Sequence, residues 1–302
     1  MITQGAFNHL FRPGLRKDFL DSFEQFETQY TEYLKSGTID GPEIEATIMT
    51  GMPRLLERFD GEEVTFDDPV LGPKVAAVDR EFALGFQLTR RTVEDDKYNK
   101  ANQAAKWLAH AARMTAEFRS AELLDDATTG TTFNGIDGKP LCDTGHTLIN
   151  SSSTVSNQAA TPVGFSLAGL NALLDLSQLV KDENGDPANF TQTDTVIYNT
   201  SEITKAMQIF GSSLEPFTAD NQDNAVGKRM SGYKQIIKRY TTSTTSYFLM
   251  NSKINDCHFL TRRAVDFDDT FDFKTDAAQY KTTTRFLIWF VNWRGWFGSF
   301  PS

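Results

Sequence analysis

Cysteine and histidine are scarce in this chain: 302 residues hold 2 Cys and 4 His. Two thiols, Cys142 and Cys257, cannot build a disulfide framework, and so few fit a reducing compartment. Long apolar runs are missing too. The most apolar stretch is Phe286–Val291, FLIWFV, far short of the ~20 residues needed to cross a bilayer. The opening MITQGAFNHLFRPGLRKDF holds no apolar run of signal-peptide length, so no leader and a cytoplasmic origin are expected. Positive charge is also in deficit. The 30 Lys and Arg face 40 Asp and Glu, and a net charge of −10 argues against a general nucleic-acid binder.

Aromatic residues are what the chain has in excess: 24 Phe, 8 Tyr and 4 Trp in an otherwise polar sequence. That area must be buried within the subunit or between subunits. A chain of this length buries roughly 75% of its unfolded surface, so it needs neither disulfides nor metal to fold. Length allows one large domain or two.

Residues 1–55 carry no sustained pattern, although Phe19, Phe23, Phe26, Tyr30 and Tyr33 or Leu34 are spaced as on one helix face over Asp18–Leu34. A long terminal segment without its own core is expected to lie across something else, such as a neighbouring subunit. Residues 56–92 read as a long β-hairpin. Phe82, Leu84, Phe86 and Leu88 alternate with small or polar residues, and Glu62–Phe66 precedes them as the other strand. From Thr92 to Thr129 no Gly or Pro interrupts, and Tyr98, Ala101, Ala105, Leu108, Ala112, Thr115 and Phe118 recur at helical spacing. Asp95 and Asp96 suit the start of such a helix. About 30 residues make a rod of roughly 45 Å.

Residues 128–165 read as loop. Ser166–Lys181 reads as a helix with Ser166 as N-cap, stopped by Asp182–Pro187. Asp194–Tyr198 is expected to be a buried strand, Thr200–Phe210 a helix and Tyr247–Met250 a strand, together an α/β lobe over 166–255. Phe271–Phe300 is strand-rich, and no internal repeat is visible.

Chemistry is weakly signalled. Asp143-Thr144-Gly145 has the aspartic-protease tripeptide, but no second copy supplies the paired carboxylate, so a turn is expected. Cys142, His146, Cys257 and His258 have poor metal spacing, because adjacent Cys257 and His258 would point to opposite faces of a strand. Asp182-Glu183-Asn184-Gly185-Asp186 fails the EF-hand positions for Gly and Glu. Lys228 and Arg229, with Lys234, Lys238 and Arg239, form a basic cluster without a phosphate loop, expected on a solvated or intersubunit face. The sequon at Asn189 carries no meaning without secretion. No metal, cofactor or reaction is expected.

Six stretches carry a family likeness. Arg90 through Asp96 joins strand to long helix. Gly135 to His146 forms a glycine-rich loop ending in histidine. Leu167 runs through Gly185-Asp186-Pro187 to Val196–Tyr198 and Glu202…Ala206. Asn221…Asn224 follows, then Tyr247–Met250, then Arg285…Trp293-Arg294-Gly295-Trp296-Phe297-Gly298. In order and spacing the chain resembles, over about 75–302, the tailed-phage major capsid proteins of the Hong Kong 97-type fold, in particular the branch related to the Mu head subunit.

The resemblance implies an α+β fold and a part list. Residues 1–55 would be an N-terminal arm and 56–92 an extended loop over a neighbour. Residues 93–165 and 256–302 would form a peripheral domain around a spine helix, and 166–255 an axial domain. The product would be an icosahedral shell of hexamers and pentamers around double-stranded DNA, located in the virion and assembled in the bacterial cytoplasm. An encapsulin-like compartment of the same fold is the alternative. Implied partners are other copies of the chain, a portal, a cement or decoration protein and a separate scaffolding protein, since no room precedes the long helix for a fused one unless residue 1 follows a removed segment. No membrane is implied. Intersubunit contacts are expected from Phe19, Phe23 and Phe26 on the arm, from Lys74, Phe82, Phe86, Arg90 and Arg91 around the hairpin, from Lys228 and Arg229, and from Trp293, Arg294 and Trp296. Lys74 is the sole lysine between Lys35 and Lys97, yet it matches no cross-linking motif, so a non-covalent shell is expected. The acidic balance would leave packaged DNA weakly held.

Overall fold

The computed structural model describes residues 4–89, 91, 100–188, 192–215, 222–272, 274–275 and 277–301, with the backbone alone for 4–13. Arg90, Asp95, Asp96, Tyr98 and Asn221, singled out above, lie outside the described residues.

Two four-stranded sheets organise the chain. The first has the order β1 (Lys35–Thr38), β10 (Cys257–Asp272), β11 (Ala277–Phe290), β4 (Arg80–Thr89). β1 runs parallel to β10, and the other pairs are antiparallel. β10 and β11 form a long hairpin whose tip is turned by Asp272, which accepts the N–H of Lys274 at 3.0 Å. The alternation in β11 sorts its side chains to two faces. Phe286, Ile288 and Phe290 enter one apolar cluster with Phe259, Leu123, Leu124 and Phe133. Leu287 and Trp289 enter another with Leu260 on the opposite face.

Helix α2 (Lys100–Asp125) crosses the first sheet, about 39 Å long at 1.5 Å per residue. Ala101, Ala105 and Ala109 on its buried stripe let helix α1 (Gln4–Gln25) and the sheet approach closely. Leu15 and Phe19 of α1 are completely buried against that stripe and Phe267, each worth about 1.5–3 kcal/mol of transfer free energy. The N-terminal segment therefore has no core of its own and lies across α2 and the first sheet of its own subunit. Phe118 departs from expectation. The buried stripe ends on Ser120, Ala121 and Leu124, one step round the helix, which leaves Phe118 about half exposed.

The second sheet has the order β12 (Trp296–Ser299), β9 (Tyr247–Met250), β7 (Thr195–Asn199), β8 (Lys234–Lys238). Every residue of β7 and β9 is buried, as central strands require. Helix α3 (Leu167–Ser177), α4 (Ile203–Gly211) and the short α5 (Ala225–Arg229) flank it. Ser166 caps α3 by accepting the N–H of Gly169 at 3.2 Å. Gly169 is required there, because a Cβ would collide with the Tyr247 hydroxyl. The helix stops at Ser177, four residues sooner than expected. β12 closes this second sheet, so the chain end does not stay with the first one.

The hairpin differs most from expectation. Glu62–Phe66 is not a strand, and β4 belongs to the first sheet. The protruding hairpin is instead β2 (Glu43–Met49) paired with β3 (Leu71–Val78). Its Ile44, Ala46, Val75 and Ala77 cover Leu260, Leu287 and Trp289, and residues 50–70 form an irregular loop at its far end. Residues 128–165, read as loop, also hold a small pair, β5 (His146–Thr147) with β6 (Thr154–Val155).

Candidate assembly surfaces

Of the seven aromatic residues expected at contacts, Phe19, Trp293 and Trp296 are buried within the subunit, while Phe23, Phe82 and Phe86 are partly buried and Phe26 is exposed. Trp293 stacks flat on His146, with centroids 4.0 Å apart and planes 9° off parallel. His146 lies within hydrogen-bond distance of Asp137 at 2.6 Å and Asn157 at 3.0 Å. Arg294 is buried against Glu183 at 2.5 Å, donates to the Lys181 carbonyl at 2.8 Å and lies over the Trp293 ring. The Trp296 indole N–H donates to Asn255 Oδ1 at 2.9 Å, while Asn255 Nδ2 donates to the Tyr33 carbonyl at 2.7 Å. Phe19 sits 4.9 Å from Phe267, and the Arg113 guanidinium lies 3.6 Å above Phe23. Phe82 stacks on Phe286 and Phe86 on Tyr280. Phe19, Trp293 and Trp296 are core, whereas Phe23, Phe82 and Phe86 each have a partner within the chain and keep part of their surface accessible.

The remaining expected contacts keep some exposure. Phe26 is partly exposed beside His110, at 4.6 Å. Lys74 pairs with Glu45 across the hairpin at 2.5 Å and stays accessible. Lys228 pairs with Asp223 at 2.7 Å, and Arg229 with Asp175 at 3.0 Å, which ties α5 to α3. Arg91 is exposed and Arg90 is outside the described residues. Lys238, placed with the basic cluster above, is buried, donating to Ser246 Oγ at 2.5 Å and to the Ser243 carbonyl at 3.2 Å.

Sequence periodicity missed the most conspicuous surface. The 50–70 loop and its flanks present Met52, Leu55, Leu56, Phe59, Val64 and Phe66 to solvent, with Leu55 at 99% and Phe66 at 91% exposure. Glu57, Asp60, Glu62, Glu63, Asp67 and Asp68 intersperse them, against Arg54 and Arg58. Apolar density without period was the available signal. A concentration of exposed apolar side chains this large marks an interaction site. A second apolar area flanks α2, where Trp107 and Phe118 face outward. Beside it a cavity of about 210 Å³ opens between Leu84, Ala111, Ala112 and Thr115.

Buried charges anchor these elements. Asp79 stands where β3 passes into β4, between Arg262 at 3.2 Å and Arg285 at 2.7 Å, and its N–H donates to the Pro42 carbonyl. Asp126 opposes a turn whose N–H groups at Thr131, Thr132 and Phe133 converge on its carboxylate within 2.9 Å. Burial acts to raise its pKa, but these bonds together prevail and hold it at about 2.

The residues considered for catalysis or metal are engaged separately. Asp143 accepts the Gly145 N–H at 2.7 Å, the geometry of an Asx turn. Cys142 and Cys257 are buried in the apolar cluster under β11, and burial pushes both thiols up, away from the reactive thiolate. His258 contacts Asp256 at 2.8 Å. Among the described residues no three His, Cys, Asp or Glu side chains gather as a metal site, and no helix is long and apolar enough to cross a membrane.

Comparison with known proteins matches residues 73–298 to a family model described as phage capsid protein. No curated protein matches the sequence. Among solved structures, one of Mycobacterium phage Che8 superposes with a TM-score of 0.57 at 12% identity, covering 90% of this chain and 91% of that one. The capsid structure of cyanophage P-SCSP1u gives 0.57 at 10% identity, over 91% and 88%. A virus-like particle from Pyrococcus furiosus gives 0.52 at 13%, over 95% and 98%. At such identities the likeness is one of fold.

Proposed function

The chain belongs to the phage capsid protein family and has the Hong Kong 97-type fold, and from that premise we propose that it assembles as hexamers and pentamers into an icosahedral shell around double-stranded phage DNA. The observation that carries the assembly mode is the 50–70 loop, whose Leu55 and Phe66 are almost wholly exposed at the end of a protruding hairpin. Among the described residues of one subunit nothing covers these side chains, and a closed shell of identical copies offers every subunit the same cover. The first sheet with α1 and α2 serves as the peripheral domain, the second sheet with α3, α4 and α5 as the axial domain, and β2–β3 as the extended loop. No reaction is assigned to the chain, and the particle is its place of work, with assembly in the host cytoplasm. Portal, scaffolding and decoration proteins are its further partners, and the branch related to the Mu head subunit rests on the residues quoted above.

Negative-stain microscopy and sedimentation of the expressed chain test this reading. Capsomers or closed shells are expected, and a persistent monomer at micromolar concentration excludes it. The likeness to the Pyrococcus particle keeps a second reading, a protein-filled compartment of the same fold. Nucleic acid inside particles recovered from phage-producing cells favours the shell, and protein cargo alone favours the compartment.

A further inference from the structure

The apolar loop is exposed, yet its root is tied down on its own subunit. Thr50 and Val70 close the hairpin. The Thr50 N–H donates to the Val70 carbonyl at 2.9 Å, and the Val70 N–H donates to Thr50 Oγ at 2.8 Å. Immediately beyond, Asn184 Nδ2 donates to the Gly51 carbonyl at 3.0 Å. Arg54 meets Asp186 through two nitrogens, with Nε at 2.9 Å from Oδ2 and Nη2 on Oδ1. Asn184 and Asp186 belong to the turn after α3, which Asp182 rigidifies by accepting both their N–H groups, at 3.0 and 2.9 Å. An irregular segment is thus clipped to a firm one by Arg54, which lies among the apolar side chains Met52, Leu55 and Leu56.

We propose that this contact is a latch: Arg54 and Gly51, held by Asp186 and Asn184, park the apolar loop of an unassembled subunit against its own second-sheet unit, and the latch opens when the loop docks on a second copy. The proposal rests on the shell reading above and adds a control on it. The Arg54 side chain is 73% exposed and that of Asp186 32%. Exposed ion pairs of this kind shift an equilibrium by about two- to fivefold. That is enough to lower the population of docking-competent loops and slow nucleation. It is too little to resist docking itself, because covering large apolar side chains such as Leu55 and Phe66 outweighs one solvated pair. A latch of this strength holds subunits back while they are dilute and gives way on a growing shell.

Charge reversal separates the latch from a permanent brace. Arg54→Glu and Asp186→Arg are made singly and together, all at surface positions. Assembly from unassembled subunits is followed by light scattering at low salt, and amide exchange over 52–66 is read before assembly. Each single variant is expected to nucleate about two- to fivefold faster and to exchange faster over 52–66, and the double variant returns towards the parent. Single variants that assemble at the parental rate or more slowly overturn the proposal, and slower assembly identifies a brace retained in the shell. If the parent forms no shells, the shell reading fails, and unchanged exchange in both single variants then overturns the latch separately.

Discussion

Gln29 pairs with Arg239 as a strand residue would: its side-chain oxygen accepts the Arg239 N–H at 3.2 Å, while its amide donates to the Ile237 carbonyl. One carboxamide thereby meets the open edge of β8, which among the described residues has no strand neighbour on that side. The Gln29 N–H in turn donates to Glu117 Oε1 of α2 at 2.7 Å. From the same helix Asp125 accepts the N–H groups of Thr242 at 2.7 Å and Ser243 at 3.1 Å. The long helix therefore holds the second sheet through side-chain clips.

Removing the first clip is expected to loosen that junction. Gln29→Ala deletes two side-chain hydrogen bonds and should cost about 1–2 kcal/mol. Urea unfolding of the unassembled subunit measures the loss, and amide exchange at Arg239 should rise while that at Ile197 stays slow. Equal acceleration at both sites counts against a local clip.

Asp126 sets the acid limit of the adjoining turn. Its folded pKa of about 2 lies below its ordinary value, so the fold binds its proton less readily than the unfolded chain does. The stabilisation is complete above about pH 4 and is lost as pH falls towards 2. With solvent screening it amounts to about 1–2 kcal/mol. Asp126→Asn should therefore unfold more easily at pH 6, and the gap to the parent should close by pH 2. A gap independent of pH assigns the effect to shape rather than charge.

Lys238 has the opposite chemistry. Burial lowers its pKa to about 8, with nearby Asp125 pulling the other way. Between about pH 8 and 10.5 the unfolded chain binds the proton that the fold refuses, so stability rises with pH across that window. The full swing is at most about 3 kcal/mol. Lys238→Met keeps the stem against Phe248 and should abolish the rise, so thermal melts at pH 7.5 and 10 should converge for the variant and diverge for the parent.

The loop supplies the prediction closest to function. Leu55→Asp with Phe66→Asp adds charge at two nearly fully exposed positions, so the stability of the isolated subunit should change by less than about 0.5 kcal/mol. Assembly should fail or need far higher protein concentration, which sedimentation reads directly. Normal shells from this variant exclude the loop as a docking element.

Local signals proved readable where a single element decided them. The alternation around Phe82 and Phe86 marks β4, Ser166 caps α3, and Tyr247–Met250 is a strand. Pairing was not readable, because period two says which face a residue takes but not which strand it meets. Ile44, Ala46 and Ile48 alternate with Glu43, Glu45 and Thr47 just as regularly, within a segment read as patternless. The aromatic excess likewise demanded burial without saying where. Trp293, Trp296 and Phe19 satisfy it inside one subunit, whereas Leu55 and Phe66 do not.

The pair formed by Arg294 and Glu183 concentrates that inward use of the chain's last segment. Both side chains are nearly buried at 2.5 Å, and Glu183 Oε2 also accepts the Ile149 N–H at 3.1 Å. Removing one member strands a charge, so Glu183→Leu should cost about 3–5 kcal/mol and leave little folded subunit at 37 °C. Arg294→Met alone strands the carboxylate and should cost a similar amount. Replacing both, as Glu183→Leu with Arg294→Met, removes both buried charges at similar volume and should recover most of the loss, because desolvating the pair offsets much of its attraction. A double-mutant cycle by urea unfolding decides it. If the double variant is as unstable as the sum of the singles, the two side chains act independently, and Trp293 is held by packing alone.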